Sequence, residues 1–309
     1  MSTLLELAEK YTNRQISADS PEIKEIENVL SELASTEDGR AEIAEVMGIY
    51  IQENMNEIDI APLFTKSKHF NLGERPEFRL KKKGIKAYWI APNSSTPKSS
   101  NYQDTLGMDF ETLSVRPDCL LDELKAGRIT SLAELLQDAK EALRNAIVEK
   151  IFTLLGQVYN ENGSSEYLTV CSTKLEKTSL EDAIDKVTYR TGSKATILGD
   201  RLLTNQIMNF EGFAPEANEE IRKNGTLGYF RGARIIGVNE VYDEANDKIL
   251  VPKDRLYIIS DTIGYSATYG DPKTGQEQSI EDWSWNARLD TQWGMAVTNP
   301  KAMQVIEVK

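Results

Sequence analysis

The sequence predicts an α+β chain, and three features predict it. The first sixty residues carry apolar positions at helical spacing. The stretch from Phe64 to Ile90 then changes to a period of two. Beyond Ser131 one long apolar stripe is followed by alternating strand and helix signals up to a strand-like C-terminal end. At 309 residues, 40% hydrophobic and 28% charged, the chain holds enough apolar material for one large or two ordinary folded lobes.

The leading helices are read from Leu4, Leu7, Ala8 and Tyr11, then from Ile23, Ile26, Leu30 and Leu33 after Pro21, then from Ile43, Met47, Tyr50 and Ile51 within about 40–55. Short helices of this kind need a surface to cover their apolar faces, and the expected cover is a neighbouring subunit. Phe78 and Leu80 alternate with Glu77, Arg79 and Lys81. After Lys82, Lys83 and Gly84 the alternation resumes at Ile85, Ala87 and Trp89. The expectation is a β-hairpin turning at Gly84, with a polar loop at 91–107 and further strand at 108–115. Ser131 and Glu134 have the spacing of a capping box, and Leu132 to Val158 keep one stripe apolar, predicting a spine helix of about 40 Å. Thr178 and Glu181 form a second candidate box. Strands are expected at 195–198, 233–238 and 256–260, and an aromatic-rich segment at 283–308 should return to pair with a distant strand.

Charge is unevenly placed. Net charge is -13, but residues 1–60 hold fourteen acidic and four basic side chains, whereas 64–90 hold eight basic and two acidic. Between copies of one chain these stretches would be complementary; as two solvated faces of a monomer they would need no partner. The acidic balance speaks against wrapping nucleic acid through counterion release. Cys119 and Cys171 are unpaired in spacing and too few for a thiolate zinc site, which fits a reduced compartment. The single histidine, His69, lies in a basic strand, and a surface role is expected for it. The Gly225–Gly228 run leads into a strand and so does not form a phosphate-cradling loop. No cofactor, metal or catalytic residue is expected. The N-terminal residues lack a basic lead and no apolar run reaches about eighteen residues, so neither secretion nor membrane insertion is expected.

The order of parts resembles the tailed-bacteriophage major capsid proteins of Hong Kong 97 fold. Phe64 to Arg116 is similar to that family's extended loop, Ser131 to Val158 to the spine helix of its peripheral domain, and Gly225 to Ile236 to an axial-domain turn and strand. Arg288 to Ile306 is similar to its closing segment. The resemblance implies an N-terminal arm at 1–59, an extended β-hairpin loop at 60–116, a peripheral domain at 117–167, an α/β axial domain at 168–264 and a return to the peripheral domain at 265–309. It also implies self-assembly into hexamers and pentamers of an icosahedral head shell, within the host bacterial cytoplasm, enclosing double-stranded DNA without specific contact. Scaffold, portal and decoration proteins would be further partners. The residues expected at inter-subunit contacts are Phe78, Leu80, Trp89, Lys81, Lys82, Lys83 and Lys86, with the apolar ones buried only in the oligomer. The isopeptide crosslink of some relatives finds no matching asparagine or glutamate. An encapsulin-like nanocompartment shell is the alternative on the same fold, and a soluble α/β enzyme the alternative of another class.

Overall fold

Pro21 opens helix α1 (Pro21–Ser35), where its missing N–H costs nothing. Thr36 then caps α2 (Glu37–Met55) by accepting the Gly39 N–H at 3.1 Å, and Glu37 and Asp38 favour the positive end of the helix dipole. In this computed structural model the described residues are 21–55, 61–82, 102–126, 129–161, 166–210, 227–238, 242–243, 247–260, 262–279, 281 and 283–309. The expected helix around Leu4 to Tyr11 lies outside them.

The two helices do not wait for a neighbour. Leu30, Ala34, Ile43, Ala44 and Met47 are buried against Leu121, Leu124, Leu143 and Trp285 of the same chain. This corrects the expectation of burial on a second copy. Periodicity shows that a face must be covered but not by which molecule. Gly48 lets α2 lie close, since a Cβ there would meet Thr274 Cγ2 at 2.5 Å.

A single turn, α3 (Ala61–Phe64), leads into β1 (Thr65–Phe70). Among the described residues the strands β2 (Glu77–Lys82) and β3 (Tyr102–Gly107) pair only with each other, antiparallel, from Glu77 opposite Gly107 to Lys82 opposite Tyr102. The described partner of β2 is thus Tyr102–Gly107, whereas the expected turn at Gly84 and the strand at Ile85 to Trp89 lie outside the described residues. Then come β4 (Glu111–Val115), β5 (Asp118–Leu120), the short helix α4 (Leu121–Lys125) and α5 (Ile129–Glu161). At 33 residues α5 is about 50 Å long. It begins two residues before Ser131, so that serine is inside the first turn and not at the cap. Its apolar stripe serves two clusters in succession. Leu136, Ala139 and Leu143 join the one under α1 and α2; Ile147, Ile151, Phe152, Leu155 and Tyr159 join another with Phe64, Tyr257 and Val305.

The remaining elements are β6 (Leu168–Cys171), α6 (Lys177–Thr191), β7 (Thr196–Asp200), α7 (Arg201–Gln206), β8 (Tyr229–Phe230), β9 (Ala233–Val238), β10 (Tyr242–Asp243), β11 (Lys248–Ile249), β12 (Arg255–Ile259), β13 (Gly264–Tyr269), β14 (Lys273–Gln278), β15 (Ser284–Val297) and β16 (Met303–Val308). Helix α6 starts at Lys177 after Glu176, which places Thr178 too late to cap it. Asp200 caps α7, accepting the Leu202 N–H at 2.5 Å.

Two six-stranded sheets result. The first is built on the 14-residue β15, with β13 and β14 along one edge and β4 and β5 along the other, and β1 outside β13. The second runs β6-β16-β12-β7-β9-β8, with α6 and α7 supplying its packed cluster. The closing strand β16 thus pairs with β12 and β6, placing the last residues in the sheet formed by 168–259, whereas 264–297 build the first sheet. That distinction corrects the expected return of all of 265–309 to one lobe. Gln304, fully buried in β16, is satisfied by Arg190 Nη1 and by Thr169 Oγ1, each at 3.2 Å.

Candidate functional site

The residues singled out by sequence lie on the β2–β3 ribbon, and the ribbon's root is the best-defined part of it. Phe78 is buried, stacked on Tyr265 with ring centroids 4.4 Å apart and edge-on to Phe70 at 5.5 Å. Lys68 Nζ lies 4.1 Å from the centroid of the Phe70 ring. Met108 and Ala267 complete this small core, with Phe110 and Tyr269 at its margin. Gly294 lets β15 pass beneath it, because a Cβ there would stand 2.5 Å from the Asp109 carbonyl oxygen. Phe78 is therefore covered within one chain, which corrects the expectation that it is buried only in the oligomer. It anchors the ribbon instead.

The turn between β1 and β2 is held as firmly. Asn71 donates to the Glu74 carboxylate from its side-chain amide at 3.0 Å and its backbone N–H at 3.3 Å, and these bonds hold the Glu74 carboxyl below the usual carboxylate range. The Gly73 N–H donates to the Tyr269 hydroxyl at 3.0 Å. His69, exposed, has Nδ1 2.9 Å from Thr268 Oγ1, a lateral contact between β1 and β13.

Beyond the root, β2 sets Leu80, Lys81 and Lys82 opposite Asp104, Gln103 and Tyr102. Lys83, Lys86 and Trp89 lie outside the described residues. A two-stranded ribbon standing alone is marginal in water and leaves backbone donors and acceptors along both outer edges. Next to its root, a groove of about 590 Å³ opens between Leu106 and Met108, Leu154 of α5, and Trp293 of β15. Lys150 spans its rim to Glu111 at 2.7 Å.

Sequence reasoning passed over the partners that fix this root, Phe70, Met108 and Tyr265. The alternation around Phe70 and Tyr265 was the available signal, but only the parallel pairing of β1 with β13 brings the two together. It also passed over the far end of β15, where Trp283 and Leu120 stand exposed.

Midway along β15, Asp290 accepts from Arg288 Nε at 3.0 Å and from Ser114 Oγ at 2.5 Å. The neighbouring Arg288 holds its carboxyl below the usual range. A depressed folded-state value gives stability that is present above the unfolded value, about 4, and is lost as pH falls below it. Asp290→Asn should therefore lower stability more at pH 7 than at pH 3, as read by urea denaturation at both. A difference that is the same at the two pH values would contradict the assignment. Cys119 has its thiol pushed up to about 11, by burial first and then by Asp118 and Glu123, so it is a poor nucleophile. No group of three or more metal-ligating side chains converges among the described residues, and no described helix is long and apolar enough to cross a membrane.

A family model described as "SPbeta prophage-derived putative capsid protein YonB" matches residues 15–307. By structure the chain is similar to one from Gordonia phage Cozz, with a TM-score of 0.55 at 13% identity, covering 80% of this chain and 85% of that one. It is similar to the mature capsid of bacteriophage PhiM1 at 0.51 and 8%, covering 79% and 85%. The virus-like particle of Pyrococcus furiosus gives 0.52 at 12%, covering 85% and 98%. At these identities the likeness is one of fold, and the fold is that of Hong Kong 97-type capsid subunits. No curated protein matches the chain by sequence.

Proposed function

The chain belongs to the YonB family of SPbeta prophage-derived capsid proteins, and on that premise we propose that it is the major capsid protein whose copies close, as hexamers and pentamers, into an icosahedral phage head around double-stranded DNA. The observation that carries this reading is the rooted ribbon. Phe70, Phe78 and Tyr265 fix its direction, while its two outer edges pair with no other described strand. A stiff root beneath an uncovered ribbon is suited to a surface supplied by a sister chain. Each copy gives and receives the same contact, so interfaces run head to tail and close into rings. Modest energies per contact then add up across a shell.

The role is structural and not enzymatic. Genomic DNA is held by enclosure, in keeping with a net charge of -13. Assembly takes place in the host cytoplasm, and separately encoded scaffold, portal and decoration proteins complete the head. The phage reading is tested by expressing the chain alone and with such a scaffold, then sizing it on a column and imaging it by electron microscopy. Capsomers or megadalton particles are expected. A compact monomer at every concentration and salt would overturn assembly, and particles filled with an enzyme cargo in place of DNA would turn the reading to a nanocompartment.

A further inference from the structure

Helix α5 meets the second sheet through an apolar contact that has a polar spot inside it. Tyr159, near the C-terminal end of α5, and Tyr257 of β12 are both buried, in the cluster that also holds Phe64 and Phe152. Along β12 the side chains alternate between two cores: Tyr257 and Ile259 face the cluster under α5, Leu256 and Ile258 the one under α6 and α7. Arg255 precedes Tyr257 by two residues and so shares its face of the strand. The guanidinium carbon of Arg255 lies 5.7 Å from the centre of the Tyr159 ring.

Three polar atoms of this spot are sealed from solvent and have no hydrogen-bond partner among the described residues: Tyr159 Oη, Tyr257 Oη and Arg255 Nε. Native interiors rarely leave one such atom unpaired, still less three in one place. The ion pairs of Arg255 are long, 3.8 Å from Nε to Asp254 and 3.6 Å from Nη2 to Glu307, its neighbour across β16. They balance its charge and leave both hydroxyls unserved. Beside Tyr159 Oη there is room. It stands 3.7 Å from the point a Cβ on Gly156 would occupy, and apart from the adjoining stretch of α5 no other described atom comes within 4 Å of that point. A glycine inside a helix is less favourable than alanine, so this opening exists against helix propensity.

We propose that Tyr159, Arg255 and Tyr257 hold an internal water beside Gly156, and that this water hydrogen-bonds the spine helix to β12. The inference stands apart from the assembly reading. Chemistry selects the guest. An anion would meet the two carboxylates of Asp254 and Glu307 against one guanidinium. A cation would meet Arg255, and would find neutral phenols, because burial raises the ionisation of both tyrosines against the pull of that guanidinium. An apolar guest would leave all three atoms unpaired. Arg255 Nε can only donate, whereas each phenol can donate or accept. A single water accepts from the first and exchanges hydrogen bonds with the other two, which gives it the about three partners usual for buried water.

The test images the full chain, as subunit crystals or as assembled particles, at a resolution that shows ordered water. Density for a water within about 2.7–3.2 Å of at least two of the three atoms is expected. The hydroxyls and the guanidinium bonded directly to one another, or packed together with no density between them, would overturn the site. Thermal unfolding adds a test by sign. Tyr159→Phe and Tyr257→Phe each remove one bond to the water and should each lower the melting temperature by about 2–4 °C. The double variant should fall by less than the sum, because both hydroxyls share one guest. A hydroxyl with no partner at all is a liability, and its removal would leave the melting temperature unchanged or raise it. Either of those results, or full additivity, would overturn the inference. The density decides alone for any variant that does not fold.

Discussion

Phe64→Ala is expected to destabilise the subunit by about 3–5 kcal/mol, the usual loss for deleting a buried aromatic ring. Phe64 is fully buried. Its ring stands edge-on to Phe152 of α5 and to Tyr257 of β12, both at 6.0 Å between centroids. Its carbonyl oxygen accepts the Ile263 N–H at 2.8 Å, at the entry to β13. One side chain therefore joins the strand that leads to the ribbon, the spine helix and the second sheet. Little can collapse into the space, because Phe152 and Tyr257 also pack on each other, at 5.4 Å, and Tyr257 carries a hydroxyl whose ionisation burial strongly disfavours. The loss should appear as a lower urea midpoint with an unchanged slope. Leu63→Ala, at a half-buried neighbour, should cost less than half as much, and particle yield should follow stability. A loss below about 1 kcal/mol for Phe64→Ala would mean that the junction can repack and that the two sheets are not tied here.

How much of this was legible in the sequence depends on whether the cause is local. The spine helix was, because Leu136, Leu143, Ile147, Ile151 and Leu155 recur at a spacing only a helix puts on one side. So was β9, at Ala233–Val238, from its run of Ile and Val between turn residues. What failed was non-local. The alternation of Phe78 and Leu80 fixes which side chains share a face of the ribbon, yet the cover for Phe78 comes from Tyr265, nearly two hundred positions later. The pairing of β2 with β3 was not foreseen for the same reason: strand register is set by tertiary pairing, and nothing near Lys82 points to Tyr102. The apolar stripes of α1 and α2 were real, but a stripe is indifferent to whether its cover is intramolecular. The charge asymmetry was visible as composition. Where it falls in the fold was not, because only tertiary packing sets α1 beside α4, whose Leu121 N–H bonds the Trp283 carbonyl at the end of β15 remote from the ribbon root. Trp283 itself carries no sequence signal beyond being aromatic among acidic neighbours.

Reversing the ribbon's charge, with Lys81→Glu, Lys82→Glu and Lys83→Glu combined, should have the larger consequence for function. Exposed ion pairs contribute on the order of 0.2–1 kcal/mol each, so three reversals cost one inter-subunit contact about 1–3 kcal/mol and add repulsion. A subunit in a closed ring makes that contact as donor and again as acceptor, and the ring forms only if every one holds. Particle yield should fall by about tenfold or more. The isolated chain should keep its circular dichroism and melting behaviour, because the three lysines lie beyond Phe78, the buried anchor of the ribbon's root. Salt separates this cause from misfolding. Raising ionic strength toward 1 M shortens the screening length to about 3 Å, so assembly of the unmodified chain should weaken and the deficit of the reversed variant should narrow. Light scattering across a salt series measures both trends at once. Equal yields at low salt, or a deficit that salt leaves untouched, would show that the ribbon is held by its apolar residues alone and that the charge separation along the subunit plays no part in bringing copies together.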